Sequence, residues 1–523
     1  MNRTRLLIAL PLMLGALALA PAQAPAQSPR ALSLEEAIRL ARPASEAVGI
    51  AQAGVRRAEA DVRRARSEFF PQLSGSLSYD RLIKSQFSAL AGEDNGTGGP
   101  ARESCDAFTP APGQPIESRL GSLEESLRCL SRANPFSDLS SLPFGRAHTW
   151  RWGIAASQTL FAGGRLRAGT RAAEAAQRSA EIGVSAADAQ VILEVVEAYA
   201  DAALAERLAA IAQVALDQAD TTLVQTALRR EVGTAPEFDL LRATVARDNL
   251  RPQVIQAAAQ RAVADQRLRQ LLSVSDAAPL ALVTNLEDTT LSSIPTLASL
   301  VARTPDTAAD RRSTVRQADE ALHAQEALDA AARGERLPAL SLSSQYGRVA
   351  YPSSGLPGWN DYYTNWNVAV ALQVPLFTGG RLSAGHQAAR ASVDEAALRR
   401  ALAAKGAALD ARMAVAQRDA AAATWAASTG TVAQAARAYE IAEVRYREGI
   451  STQTELLDAR LALQQAEATR ATAARDLLVS RVRLALIADL PLAGAAGTNA
   501  MPPRTQSQTR PAAPAASSST GFP

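Results

Sequence analysis

The chain has 523 residues, 47% of them hydrophobic and 20% charged, enough to bury a large core. Its formal charge is only +3, and removal of Arg3 and Arg5 with a leader brings it close to zero, so a nucleic-acid partner has no electrostatic support. Three scattered histidines (His148, His323, His386), without C-x-x-C, H-E-x-x-H, P-loop or G-x-S-x-G patterns, give no motif for a metal, a cofactor or catalysis.

Residues 1–26 read as a secretion signal: Arg3 and Arg5, an apolar run from Leu6 to Leu19, then an Ala/Pro segment with cleavage expected after Ala22 or Ala26. Beyond it no stretch approaches the roughly 18 consecutive apolar residues of a spanning helix, so any membrane crossing falls to β-strands.

Next comes an Ala-rich helical stretch, about Leu34 to Phe69, and then a short alternating segment. Leu73, Leu77 and Tyr79 fall on one face, Ser74, Ser76, Ser78 and Asp80 on the other. The insertion 81–148 is polar and rich in Gly and Pro, with an amphipathic pattern at Leu120, Leu123, Leu127 and Leu130. It holds both cysteines, Cys105 and Cys129; outside the cytoplasm such a pair commonly forms one disulfide, and the sequence leaves the pairing open. A second alternating segment sets Trp150, Trp152 and Ile154 against Arg151, Gly153 and Ser157.

The segment Leu160-Phe161-Ala162-Gly163-Gly164-Arg165 then opens a proline-free helical stretch, Leu166 to Arg230. At 1.5 Å per residue this is a rod of roughly 100 Å. A turn at Gly233 leads to another helix, of about 55 Å, ending near Ser273, with a kink expected at Pro252.

After an inter-repeat segment, 274–295, the layout recurs over 296–488. Leu376-Phe377-Thr378-Gly379-Gly380-Arg381 repeats the first motif at a shift of 216 residues, and Arg445 through Gly449 to Glu455-Leu456-Leu457-Asp458-Ala459 repeats Arg229 through Gly233 to Asp239-Leu240-Leu241-Arg242-Ala243 at the same shift. Two motifs sharing one offset identify a tandem duplication: residues 30–273 are the first repeat, 296–488 the second.

In the second repeat a helical stretch (Thr296 to Leu337) precedes two more alternating segments. Leu340, Leu342 and Tyr346 oppose Ser341, Ser343 and Gln345; Trp366, Val368, Val370 and Leu372 oppose Asn365, Asn367, Ala369 and Gln373. Along the second rod Leu409, Met413, Ala416, Ala420, Ala423 and Ala427 alternate spacings of four and three, a coiled-coil seam of mainly small residues. The tail 489–523 turns Pro/Ala/Ser-rich and reads as disordered.

Four of the five tryptophans and five of the eight tyrosines lie in or beside the alternating segments. That bias fits strands that cross a membrane, with the apolar residues named above facing lipid. Alternation alone also fits a soluble sheet with one wet face. Four strands cannot close a barrel, and open edges in lipid leave backbone groups unpaired, so spanning strands demand a ring of sister copies.

The duplicated strand, Phe-x-Gly-Gly-Arg and long-helix unit, with its Gly-(x5)-Asp/Glu-Leu-Leu-x-Ala turn, resembles the TolC family of outer-membrane efflux and secretion channels over roughly Leu34 to Ala488. The resemblance implies a membrane α+β fold: a homotrimer whose 12-stranded outer-membrane β-barrel continues into a periplasmic α-helical barrel. It also implies a passive, non-enzymatic duct that needs no cofactor. Its partners would be an inner-membrane transporter and a periplasmic adaptor, as in tripartite efflux or type I secretion. The inter-repeat segment and the region after Ala488 would form an equatorial belt.

By the same resemblance the adaptor docks at the two tips, Arg230, Val232, Gly233 and Thr234 in one repeat and Arg447, Gly449, Ile450 and Ser451 in the other. Acidic residues matching the family's aperture are Asp239, Glu455 and Asp458, with Arg242 in place of the second acid of the first repeat. A ring of such carboxylates favours cations and binds divalent ions when narrow. Thr452-x-x-Glu455 equally fits a helix capping box. The alternative overall reading is a periplasmic adaptor with helical hairpins; two equal hairpins alternating with strand pairs count against it.

Overall fold

The structure is a computed structural model that describes residues 30–83, 108–109, 112–132, 147–274, 280–288, 294–352 and 355–492. The leader, the far tail and Cys105 lie outside the described residues. In chain order the elements are β1 (Arg30–Leu32), α1 (Leu34–Ala44), α2 (Glu46–Ser67), β2 (Gln72–Arg81), α3 (Ile116–Arg132), β3 (His148–Ala162), α4 (Arg165–Glu231) and α5 (Glu237–Leu272). Then follow β4 (Leu280–Leu282), α6 (Pro295–Val301), α7 (Ser313–Gly334), β5 (Ala339–Ala350), β6 (Tyr362–Gln373), α8 (Arg381–Arg447) and α9 (Gln453–Ala485). No described helix is long and apolar enough to cross a membrane.

The chain divides into two compact units. One comprises residues 56–177 and 320–397 and holds a four-stranded antiparallel sheet of order β2-β3-β5-β6. Paired residues of neighbouring strands share a face. The register sets Tyr79 opposite Trp150, Leu77 opposite Trp152, Ile154 opposite Tyr346, Tyr346 opposite Trp366, Leu342 opposite Val370 and Leu340 opposite Leu372. Leu73 and Val368 fall in the same alternation, so every apolar residue picked out in the four segments lies on one face. The serines, Asn365, Asn367, Asp80 and Arg151 named with them occupy the other, where Arg151 pairs with Asp80 at 2.6 Å. Arg81 and His148 pair within the sheet, which narrows the insertion to 82–147. On α3, Cys129 is disulfide-bonded.

Where strand becomes long helix, Gly163 and Gly164 have φ of 60° and 83°, and Gly379 and Gly380 have 59° and 84°, so one left-handed turn serves both repeats. Gly163 also presses on Gly334 at the end of α7: a Cβ there would sit 2.2 Å from the Gly334 carbonyl oxygen. Only glycine fits both constraints.

The other unit comprises residues 1–55, 178–319 and 398–523. Its core gathers Leu32, Leu34, Ile38, Val195, Val196, Tyr199, Leu268, Leu272, Ile294, Leu297, Leu478 and Val482. β1 and β4 pair in parallel, and the buried Tyr199 hydroxyl donates to the Leu32 carbonyl (2.9 Å) while accepting from the Thr284 N–H (3.1 Å). The inter-repeat segment is thereby fastened to the start of the chain. Residues after α9 join the same unit: Arg312, fully buried, reaches Asp410 (2.8 Å) and the Leu490 carbonyl, and the Ser313 N–H donates to Ala488.

Two expectations are corrected. The stretch from Leu34 to Phe69 is two helices, because Ser45 turns to extended backbone after Pro43 and its hydroxyl accepts from the Val48 N–H to start α2. The stretch from Thr296 to Leu337 likewise breaks, around Pro305 and an Asp306 side chain that accepts from the Ala308 N–H. α2 and α7, at 22 residues each, therefore span about 33 Å. Within this chain the stripe Leu409, Met413, Ala416, Ala420, Ala423 and Ala427 is exposed along its whole length. The residues of α8 covered by the chain itself are Ala407, Ala411, Ala414, Arg418, Ala421, Trp425 and Ser428, a second four-three series two positions away. α5 runs unbroken through Pro252.

Candidate functional site

Both long helices end in the same motif. The Thr234 N–H donates to Arg229 and the Gly233 N–H to Arg230 (2.8 and 2.9 Å); Ile450 and Gly449 bond likewise to Arg445 and Tyr446 (2.8 and 3.1 Å). Gly233 and Gly449 have φ of 77° and 73°. This paired bonding satisfies orphan carbonyls and needs a left-handed residue at the turn, so the chain reverses into α5 and α9. Arg229 and Arg230, and Arg445 and Arg447, lie at the negative ends of their helix dipoles.

Acids occupy the opposite ends. Glu237 and Asp239 are in the first turn of α5, and Arg230 pairs with Glu237 at 3.2 Å. In α9 the Thr452 hydroxyl accepts from the Glu455 N–H at 3.4 Å. Glu455 thus sits at the position of a cap, with its carboxylate still exposed. Asp458, one turn on, is exposed and forms no ion pair among the described residues.

The two tips are joined within the chain. Arg229 lies over the Tyr446 ring (4.9 Å) and donates to the carbonyls of Tyr446 and Arg447 at 3.1 and 2.7 Å. The buried Thr226 hydroxyl meets the Tyr446 hydroxyl at 2.9 Å. Arg242 donates to the Thr454 hydroxyl at 2.5 Å, bringing the acidic turn of α5 against that of α9. Arg242 therefore replaces an acid with a strut. Nearby, burial lowers the pKa of Arg460 and raises that of Tyr439.

Of the residues picked from the sequence, the structure places Asp239 and Glu455 on these adjoining first turns, Asp458 one turn further along α9, and the tip residues at the two reversals. Thr226, Arg229 and Tyr446 were missed as a set. Arg229 stood inside the repeated motif, and Tyr446 was the aromatic residue beside it; what the sequence lacked was the pairing of one helix end with another. Among the described residues no group of His, Cys, Asp and Glu is disposed to hold a metal.

A duplicated strand-and-hairpin chain with an apolar sheet face and polar rods has the organisation of an outer-membrane channel protein. The description "outer membrane efflux protein" matches residues 132–274 and 304–488, and the chain belongs to that family, the TolC-like channels of the Gram-negative outer membrane that extend into the periplasm. No curated protein matches it. Its fold is similar to the CmeC outer membrane channel of Campylobacter jejuni (19% identity, 88% of this chain and 86% of that one, TM-score 0.66). It is similar also to VceC of Vibrio cholerae (18%, 87% and 95%, 0.64) and to the open state of the MtrE channel of Neisseria gonorrhoeae (18%, 88% and 89%, 0.64). The family is one of channels, and the adaptor alternative falls with that finding.

Proposed function

We propose that three copies of this chain close a 12-stranded barrel and an α-helical tunnel that passively conducts substrates delivered by an inner-membrane transporter and a periplasmic adaptor, in tripartite efflux or type I secretion. The observation that carries the ring is a broken symmetry between the repeats. Leu160 and Phe161 are about half covered (50% and 49% exposed), because β3 and the Gly163 turn pack against β5 and α7 of the other repeat. Their equivalents Leu376 and Phe377 are bare, at 92% and 91%, and a Cβ on Gly379 would touch nothing. β6 and β2 are both open edges. A joint like β3–β5, formed between β6 of one copy and β2 of the next, covers these residues and pairs both edges. The exposed seam from Leu409 to Ala427 fits the same arrangement, with small residues that allow a sister helix close approach.

In this reading the apolar sheet face meets lipid, the strand ends that run into α4 and α8 face the periplasm, the tips Gly233 and Gly449 receive the adaptor, and Asp239, Glu455 and Asp458 line the aperture. Cysteines at Phe70 and Thr378, which flank the proposed joint, test it. The expected result is a cross-linked trimer on a denaturing gel; cross-linking confined to single chains defeats the ring.

A further inference from the structure

The sheet's apolar face is not uniform along the strands. Its outermost row pairs Arg81 with His148, and the three rows below carry the aromatics: Tyr79, Trp150 and Tyr362 in the first, Trp152 in the second, Tyr346 and Trp366 in the third. Below them the face turns mostly aliphatic, with Leu73, Val368, Leu342, Val370, Leu340 and Leu372. Arg81 stands at the rim on the edge strand β2, whereas Arg348 lies inside the aromatic band, with Trp152 opposite it on β3 and Thr364 opposite on β6. Its guanidinium lies 5.5 Å from the centre of the Tyr362 ring, and its Nε is buried without a hydrogen-bond partner.

No strand residue on this face is acidic. Asp80 points to the other face and is held by Arg151; Asp361, in the turn before β6, accepts from the Gly358 N–H. β5 is an inner strand, flanked on both sides by strands of its own chain, so closing a ring brings no sister strand beside Arg348.

We infer that Arg348, with Trp152, Tyr362 and Thr364 around it, binds the phosphate of a lipid headgroup in the outer leaflet. The inference rests on the reading above in which this face meets lipid. An arginine is costly on the lipid face of a barrel at mid-depth and tolerated near the interface, where aromatic girdles lie. At that depth its stem lies along apolar surface and its head reaches the headgroup layer. A planar guanidinium already stacked on a ring offers two parallel N–H donors, the geometry that matches a phosphate.

The test is native mass spectrometry of the detergent-purified protein, as wild type, Arg348→Gln and Arg348→Lys, with bisphosphorylated lipid A, the same lipid dephosphorylated, or inorganic phosphate. Wild type should retain the phosphorylated lipid and Arg348→Gln should lose about tenfold, the order expected when a charge-assisted paired contact goes. Arg348→Lys should retain an intermediate amount, and the dephosphorylated lipid should not distinguish the three. Equal retention by Arg348→Gln overturns the site and leaves the lipid-facing assignment standing. Displacement by equimolar inorganic phosphate assigns the site to free anions and overturns the lipid. Wild-type protein that stays dispersed without detergent removes the lipid-facing reading itself, and the site with it.

Discussion

Arg229, near the end of α4, donates to the carbonyl of Arg447, the last residue of α8, at 2.7 Å. One guanidinium thus closes the C-terminus of a helix in the other repeat while stacking on Tyr446. Loss of this contact should loosen the tips before it unfolds the chain. Arg229→Ala is expected to raise single-channel conductance in planar bilayers and to increase amide exchange at residues 444–451. Thr226→Val with Tyr446→Phe should show a coupling of about 1 kcal/mol in a double-mutant cycle, the net worth of an ordinary hydrogen bond. Unchanged conductance and exchange in Arg229→Ala would mean the two hairpins are held elsewhere.

Asp458 is exposed, carries no ion pair among the described residues and lies past the cap that Thr452 provides. Asp458→Ala should therefore leave stability within about 0.5 kcal/mol of wild type, as for a surface site. It should raise conductance and weaken block by divalent cations. Titrating a divalent ion against open-channel current decides it; identical block in both proteins takes Asp458 out of the aperture.

Burial raises the pKa of Glu197, against the pull of Arg475 and Arg483. The sign follows from which form the fold prefers. A carboxyl with a folded pKa above its unfolded value, about 4.3, favours the folded state while protonated, and that advantage fades as pH rises through the folded value. Glu197→Gln keeps a neutral group at every pH. Its stability relative to wild type should thus grow as pH rises from about 4 toward neutrality and vanish below that. Denaturant midpoints across this range measure it; a difference that shrinks with rising pH contradicts the assignment.

Gly449 has room for a side chain but sits at φ 73°. Gly449→Ala should cost about 1–2 kcal/mol through backbone strain alone. A bulky residue there, or at Gly233, should impair adaptor docking while trimers persist, measured by co-purification with the adaptor. Normal export by both bulky variants would place docking away from the tips.

The bare pair Leu376 and Phe377 offers the complementary test of assembly. Leu376→Asp should block trimerisation, because a charge would be buried in the joint with β2 of the next copy. The equivalent change at Leu160, half covered within the chain, should destabilise the protomer itself. Size and thermal midpoint together separate the two outcomes.

Much of this was legible in the chain itself. The duplication, the alternation at Trp366, Val368, Val370 and Leu372, and the glycines that end the long helices are local patterns, and each is fixed by constraints acting within a few residues: strand period, helix period and the sign of φ. That is why the rod expected from Leu166 to Arg230 lies within a residue of α4 at each end, and why every apolar residue picked out in the strands fell on one face.

What the local pattern could not settle is which partner each surface meets. Leu409 to Ala427 and Ala407 to Ser428 are equally good seams by spacing, and only packing shows that the chain covers the second and leaves the first. Pro43 and Pro305 lie in stretches rich in helix formers, and the breaks beside them depend on the side-chain bonds of Ser45 and Asp306 as well as on the prolines. Arg229 and Tyr446 come together across more than two hundred residues, a proximity set by how the two repeats fold together. Sequence determines periodicity because neighbours along the backbone enforce it; tertiary structure decides pairing because burial and hydrogen bonding compare surfaces far apart in the chain.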